Sequence, residues 1–221
     1  MQVTLQIPHG RSFGTAQAAS GKLGTRLQPP PEPPVIVPSM VRGMYGTSEY
    51  EPGAYGGRNR FAFAGDNRPI GDDLTDFMAA FQVESISADY TFVNLDLEVL
   101  NPSLTANAVV QYASAMAYPS PLFYFGTKIE EVSLTRFLSL ILNDMAVFQT
   151  VGISYNYFTE VVVPPELADS VCDQLARLGV RGSSVLIASG NHGVGDGDCE
   201  DGEGNIKFVP EFLSSCTFGV L

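Results

Sequence analysis

The stretch Ser184-Val185-Leu186-Ile187-Ala188-Ser189-Gly190-Asn191-His192-Gly193-Val194-Gly195-Asp196-Gly197-Asp198-Cys199 decides the fold. A short apolar run that breaks into glycines is the pattern of a buried strand, here Val185 to Ser189, ending in a loop without side-chain bulk. An acidic loop follows, then Phe208-Val209-Pro210-Glu211-Phe212-Leu213-Ser214-Ser215-Cys216. In an open α/β sheet, ligands and chemistry sit at the carboxyl ends of strands. Ser189, Gly190, Asn191 and His192 are therefore the first candidates for a functional site.

Working outward, strands alternate with helical patterns. Phe61 to Gly65 reads as a first strand, Asp89 to Leu97 as a second, Leu122 to Gly126 as a third and Val151 to Tyr155 as a fourth. Asp72 or Asp73 can cap a helix with Leu74, Phe77, Met78 and Phe81 at i, i+3, i+4 and i+7. Asn101 to Ala117 reads as a helix entered through Pro102 and Ser103. Ser133 is placed to cap a helix carrying Leu134, Phe137, Leu138, Ile141, Leu142 and Met145 on one face. Pro164 and Pro165 open another, with Leu167, Val171, Leu175 and Leu178, stopped by Gly179. This alternation predicts an α/β fold: right-handed crossovers building a mostly parallel sheet with helices on both faces.

Residues 1–36 form a separate region. Its glycines and the run Pro29-Pro30-Pro31-Glu32-Pro33-Pro34 leave little to bury and favour extended polyproline conformations. A disordered or loosely packed arm is expected there, with one domain over 37–221. At 221 residues the chain can bury a full core. The net charge of −12 excludes nucleic acid as a partner class, because phosphate contacts need Lys and Arg clusters. Ten acidic residues between Glu160 and Glu211 face only Arg177, Arg181 and Lys207, the pattern of a solvated acidic face. No stretch approaches the roughly 20 apolar residues of a membrane span. Residues 1–8 lack the basic and long apolar regions of a secretory leader. A cytoplasmic place is expected if this is the full chain.

The block quoted first, together with Ala106-Asn107, Gln111-Tyr112, Tyr118-Pro119, Ile153-Ser154-Tyr155, Val171-Cys172-Asp173 and Leu178-Gly179-Val180-Arg181-Gly182, resembles the sedolisins. These are serine-carboxyl peptidases that include the fungal tripeptidyl peptidases. The resemblance runs from about Val37, where Val37-Pro38-Ser39-Met40 looks like a proline-initiated helix, to the C-terminus. It implies the N-terminal half of a subtilisin-like catalytic domain, no cofactor, and, for the family, a secreted or lysosomal location. In sedolisins, Glu-Ala-Asn-Leu-Asp-x-Gln-Tyr places two acids four residues apart on one helix face. Crowding raises one carboxyl pKa, so that one acid takes the serine proton while the other orients it. A third acid, in Ser-Gly-Asp, donates to the oxyanion.

Aligned on Gln111-Tyr112, this chain has Thr105 and Val109 where the paired acids stand and Asn191 for the oxyanion acid. In the family the serine lies far downstream in a Gly-Thr-Ser motif; no such motif follows Ser189 before Leu221, the Gly46-Thr47-Ser48 of this chain lying upstream of the aligned helix. The resemblance therefore implies a truncated, catalytically degenerate homologue, a non-catalytic binder of a peptide or small molecule. Its cleft candidates are Thr105, Val109, Tyr112, Ser154, Tyr155, Ser189, Gly190, Asn191 and His192. The alternatives are an enzyme with different chemistry near Asn191, His192 and Thr105, or a serine-type peptidase like its family. Asp96 and Glu98, two apart on the second strand, read as a solvated strand end. The acids from Asp196 to Glu203 lack a calcium-loop glycine at the sixth place, where Asp201 stands, so no metal site is expected. Three cysteines leave the pairing open: Cys199 and Cys216 flank one loop and are a candidate disulfide, with Cys172 on a helix. Apolar Leu213, Phe218, Val220 and Leu221 predict a homo-oligomer with Phe218 to Leu221 near the contact.

Overall fold

A computed structural model of the chain describes residues 35–50, 59–81, 90–96, 98–128, 131–154, 163–191, 193, 200, 203–206 and 208–218. The chain divides into a unit Met1–Ile36 and a unit Val37–Leu221. Of the arm expected over 1–36, residues 1–34 lie outside the described residues, as do Tyr155, His192, Cys199 and 219–221.

The second unit alternates as the sequence predicts: α1 (Pro38–Met44), β1 (Phe61–Asp66), α2 (Asp73–Phe81), β2 (Tyr90–Asn94), α3 (Leu104–Ala117), β3 (Leu122–Thr127), α4 (Glu131–Asn143), β4 (Thr150–Ile153), α5 (Pro165–Val180), β5 (Ser184–Ile187) and α6 (Phe212–Ser215). All four strand pairings are parallel, and the order is β2-β3-β1-β4-β5. Period-2 alternation divides the side chains between the two faces. Ala62, Ala64, Phe125, Val151, Ile153, Val185 and Ile187 pack with Leu134, Phe137, Leu138 and Ile141 of α4 and Val171, Leu175 and Leu178 of α5. On the other face, Leu122 and Tyr124 are buried with Leu74 and Met78 of α2 and Ala106, Val110 and Ala115 of α3.

One crossover departs from the expected hand. From β1 the chain steps two places across the sheet to β2 and then one place back to β3, yet α2 and α3 pack on the same face. Opposite steps over one face require opposite hands. The later steps, to β4 and β5, run in the β2-to-β3 direction with α4 and α5 on the other face, so they share the hand of the α2 crossover. Right-handed crossovers make up about 98% of cases, which makes β2-α3-β3 the left-handed one. α4 and α5 already fill the opposite face, so α3 has its apolar partners only beside α2.

Local differences from the sequence reading each have a physical reason. Ser133 does not cap α4. It lies inside the helix, buried, and its Oγ donates to Asp96 Oδ1 at 3.4 Å. Met145 falls past the end of α4 and is 99% exposed. Gly179 does not stop α5, which runs to Val180; the chain turns at Gly182, whose φ of 89° a side chain would resist. Strand β2 ends at Asn94, so Asp96 and Glu98 are not strand neighbours. The Asp96 carboxylate accepts the Thr127 hydroxyl at 3.2 Å and the Lys128 N–H, while Glu98 pairs with Lys128 Nζ.

The start of β1 is fastened to the loop after α4. The Arg60 guanidinium lies 4.7 Å from the Phe123 ring centroid and 4.0 Å from that of Phe148, and donates to Asp144 Oδ2 at 3.2 Å. The Ala146 N–H donates to Asp144 Oδ1 and, with Arg60, holds the carboxyl below its ordinary value of 3.8. A depressed carboxyl pKa contributes stability that is present above the unfolded value and lost as pH falls through the folded one. Wild type is therefore expected to exceed Asp144→Asn in urea midpoint at about pH 6, and the two should converge below about pH 3. A constant difference across that range would show that the charge is not the cause.

Candidate functional site

The C-terminal edge of the sheet collects several of the residues read from the sequence. Because α3 runs antiparallel to the strands, its first turn stands at that edge. Ser103 caps it, its Oγ accepting the Ala106 N–H at 3.3 Å, and Pro102 keeps the preceding chain extended. Thr105, in that turn, is exposed. After β4, Ser154 Oγ donates to the Ala64 carbonyl at 3.2 Å, so this hydroxyl proton is engaged by the backbone of the central strand. After β5 come Ser189, exposed, Gly190 with φ 90°, and Asn191, exposed.

Asp66, which the sequence reading did not single out, also stands at this edge, at the end of β1. Its carbonyl accepts the Tyr124 hydroxyl at 3.0 Å and its carboxylate accepts the Asn67 side-chain amide at 2.6 Å. Asn67 has φ 56°, a left-handed conformation that Asn tolerates better than most residues. The available signal was positional: a carboxylate directly after an apolar strand.

The α3 helix presents two chemically different faces. Asn107 and Gln111, four apart, turn toward α2. The buried Asn107 accepts the Ile70 N–H on Oδ1 at 2.6 Å and donates Nδ2 to the Asp73 carboxylate; Gln111 donates to the Asp73 carbonyl at 3.3 Å. Thr105, Val109, Tyr112 and Met116 fall on a second stripe at helical spacing, from which the Tyr112 ring also packs on Phe77 of α2. This is the stripe that carries Thr105 and Val109, the positions that the resemblance aligns with the paired acids of the sedolisins. It carries a hydroxyl and an aliphatic side chain instead.

Below Thr105 that stripe forms the wall of a groove of about 410 Å³. Val109, Tyr112, Ala113 and Met116 line one side. Phe61 and Phe63 of β1, Thr150 of β4 and Leu186 of β5 form the sheet side, with Tyr50, Asn59, Ala117 and Ser120 around them. The lining is almost wholly apolar, and Leu186 is 44% exposed. Among the described residues, α2 and α3 pack over β3 and β1 and no helix covers this side of β4 and β5, which leaves the groove. Phe61 and Thr150 begin their strands, so the groove lies toward the N-terminal half of the sheet. Of the candidate residues, the structure thus brings Val109 and Tyr112 together in the groove. It leaves Thr105, Ser154, Ser189, Gly190 and Asn191 out of the lining, while Tyr155 and His192 lie outside the described residues. The groove was readable only in part, from Phe61 and Phe63 as members of a first strand.

The candidate Cys199–Cys216 pairing is corrected. Cys216 is bonded to Cys172 of α5, with a Cα–Cα distance of 5.7 Å. Loop neighbours attracted the sequence reading, but α6 packs against α5 through Phe212 and Leu213, and that packing brings the two cysteines together. Among the described residues, no group of three or more His, Cys, Asp or Glu could hold a metal ion. No described helix is long and apolar enough to cross a membrane.

No family model matches the chain. It is 28% identical, over 157 aligned positions taking in 62% of this chain and 25% of the relative, to a probable tripeptidyl-peptidase SED4 of Arthroderma benhamiae. The same figures hold for that of Trichophyton verrucosum. A 60-residue stretch is 45% identical to the tripeptidyl-peptidase SED4 of Arthroderma otae, covering 27% of this chain and 10% of that one. The chain thus spans about a quarter of the length of the first two of these curated relatives. Among solved structures, Pseudomonas sedolisin, a serine-carboxyl proteinase complexed with two molecules of pseudo-iodotyrostatin, matches with a TM-score of 0.59. The match is at 10% identity, over 83% of this chain and 52% of that chain, and shows a shared fold.

Proposed function

We propose that this chain, a relative of the sedolisin-type tripeptidyl-peptidases over its aligned residues, is a binding protein that does not cleave peptides. The observation that carries this is the α3 stripe, where Thr105 is exposed and Val109 lines an apolar groove. Neither side chain can take a proton from a serine or hold a second carboxyl in the right ionisation state. Asn191 retains an amide that can donate to an oxyanion. One donor without a proton acceptor leaves only the residual catalysis of positioning and polarisation.

The groove favours the binding half of this reading. Its volume lies within the usual range of ligand pockets, and its aromatic and aliphatic lining suits an uncharged, apolar peptide side chain or small molecule. Thr150, Ser120 and Asn59 at its margin can orient such a ligand by hydrogen bonds. The purified chain is expected to give no turnover of a tripeptidyl chromogenic substrate between about pH 3 and pH 7. In calorimetric titration it should bind short apolar peptides, and Val109→Trp, which fills the groove, should weaken that binding at least tenfold. Turnover well above a heat-inactivated control would overturn the non-catalytic reading. Equal binding by Val109→Trp would overturn the groove.

A further inference from the structure

The sheet has two outer strands, and their free edges differ. On β5, Ser184 N–H donates to the Gln149 carbonyl at 2.8 Å and Ala188 N–H to that of Ile153 at 3.0 Å, so the even-numbered residues bond to β4. In a parallel ladder the residues between them turn their N–H and C=O the other way. These are Val185 and Ile187, which are only 3% and 5% exposed, so that edge is covered. On β2, Leu95 N–H donates to the Gly126 carbonyl at 3.0 Å, so here the odd-numbered residues bond to β3. Phe92 and Asn94 therefore point their peptide groups away from the sheet. Phe92 is 37% exposed, Asn94 is exposed, and among the described residues nothing bonds to the Phe92 N–H or carbonyl.

The β2 edge also lacks the residues that normally keep an open strand from pairing. Tyr90-Thr91-Phe92-Val93-Asn94 contains no lysine, no other charge and no proline, and its first four residues are strand formers. Symmetry makes a second copy of the same strand its best complement. The Phe92 peptide offers one donor and one acceptor on the same side. A two-fold axis through Phe92, perpendicular to the sheet, sets each donor on the other copy's acceptor and makes the two strands antiparallel. The Phe92 rings, each 6.4 Å from the Tyr124 ring of its own chain, then meet on one face of the sheet. On the other face the exposed Thr91 stands opposite Val93 of the partner subunit, and no charge meets a like charge within the paired run.

We propose that the chain forms a two-fold dimer by pairing β2 with β2 of a second copy, so that two five-stranded sheets become one sheet of ten strands. The groove is lined from β1, β4 and β5, which lie beyond β3 from this edge, so the pairing does not cover it. Strands about 4.8 Å apart put the two copies of β4 seven strand spacings from each other, roughly 34 Å. The functional consequence rests on the groove reading given above: the dimer presents two grooves at a fixed span, and a ligand bearing two apolar peptides that far apart gains avidity without any new contact.

The test uses the full chain with Cys199→Ser, without ligand, so a groove that binds nothing leaves its outcome untouched. Light scattering at micromolar concentration should give about twice the chain mass of 23.7 kDa. Thr91→Lys puts a charge on the paired run and should weaken dimerisation at least tenfold. Phe92→Pro removes an N–H that β3 does not use, so the dimer should be lost while circular dichroism keeps the folded signal. If that variant does not fold, Thr91→Lys and cross-linking decide. Phe92→Cys should cross-link to its own copy on oxidation, the paired Cα atoms being about 5.5 Å apart. Thr91→Cys should not, since its own copy lies about 8 Å away, beyond the reach of a disulfide. Phe218→Ser, at the contact expected from the sequence, should leave the mass unchanged. A monomer at every concentration overturns the proposal. So does a dimer that survives Thr91→Lys, or one that cross-links equally through residues 91 and 92.

Discussion

Gly126→Ala is expected to lose about 3 kcal/mol or more, which for a domain of this size lowers the thermal midpoint by roughly 6 °C or more. Gly126 sits on β3 opposite Gly65 of β1 and Asn94 of β2. A β-carbon built there meets the Asn67 carbonyl oxygen at 2.1 Å, Phe92 Cε2 at 2.7 Å and Leu100 Cδ1 at 3.1 Å. The closest of these is backbone, and it is fixed. Asn67 N–H donates to the Thr127 carbonyl at 2.8 Å, and the residue already occupies a left-handed conformation. Relief requires moving β3 against β1 near Asp66 and Asn67, at the edge where the candidate residues stand. Thermal unfolding followed by circular dichroism checks it; a midpoint within 2 °C of wild type would mean that the turn after β1 yields without cost.

The second large effect is expected from Asn107→Leu, at about 2–3 kcal/mol. Leucine keeps the γ-branched shape of asparagine but adds bulk, so the loss combines the lost polar role with some overpacking. Asn107 satisfies the Ile70 N–H and ties the Asp73 carboxylate at the start of α2. Leucine strands the first and leaves the second to water, and an unmet buried donor costs more than the bond it replaced was worth. Thr105→Ala, on the exposed side of the same helix, is expected to change stability by no more than about 0.5 kcal/mol. Urea unfolding of both variants makes the comparison. Equal effects would show that the two faces of α3 are not functionally divided.

That division also explains what the sequence could disclose. Asn107, Gln111 and Tyr112 are the recognisable part of the helix motif, and all three have structural work: two tie α3 to α2, and the Tyr112 ring packs 5.3 Å from that of Phe77. Packing demands are written in residue type and spacing, so strands, helices and layer assignment were legible from Ala62, Val110, Val171 and their neighbours. The hand of the α3 crossover was not, because it depends on which face α4 and α5 leave free. Ser133 matched a helix start in every local respect; its partner Asp96 is 37 residues away and had been assigned to a strand. Cys172 lost to Cys199 as the partner of Cys216 for the same reason, since spacing along a chain says little about where a later one-turn helix docks. Of the groove, Phe61 and Phe63 were legible only as members of a first strand, and Leu186 not at all, its place depending on what α3 leaves uncovered beside β5.

The strand order has a consequence for synthesis. Of the described strands, β1 is the first to leave the ribosome and ends up in the middle of the sheet, flanked by β3 and β4. One of its hydrogen-bonding edges therefore waits for Thr127 at the end of β3 and the other for Ile153 at the end of β4, which emerges several seconds after Asp66 at a translation rate of about 5–20 residues per second. During that interval Phe61-Ala62-Phe63-Ala64, uncharged and rich in β-formers, is an open template for any other extended chain. The nascent protein depends on Arg58 and Arg60 ahead of this run, and Asp66 behind it, as the charges that keep it soluble until its own later strands arrive.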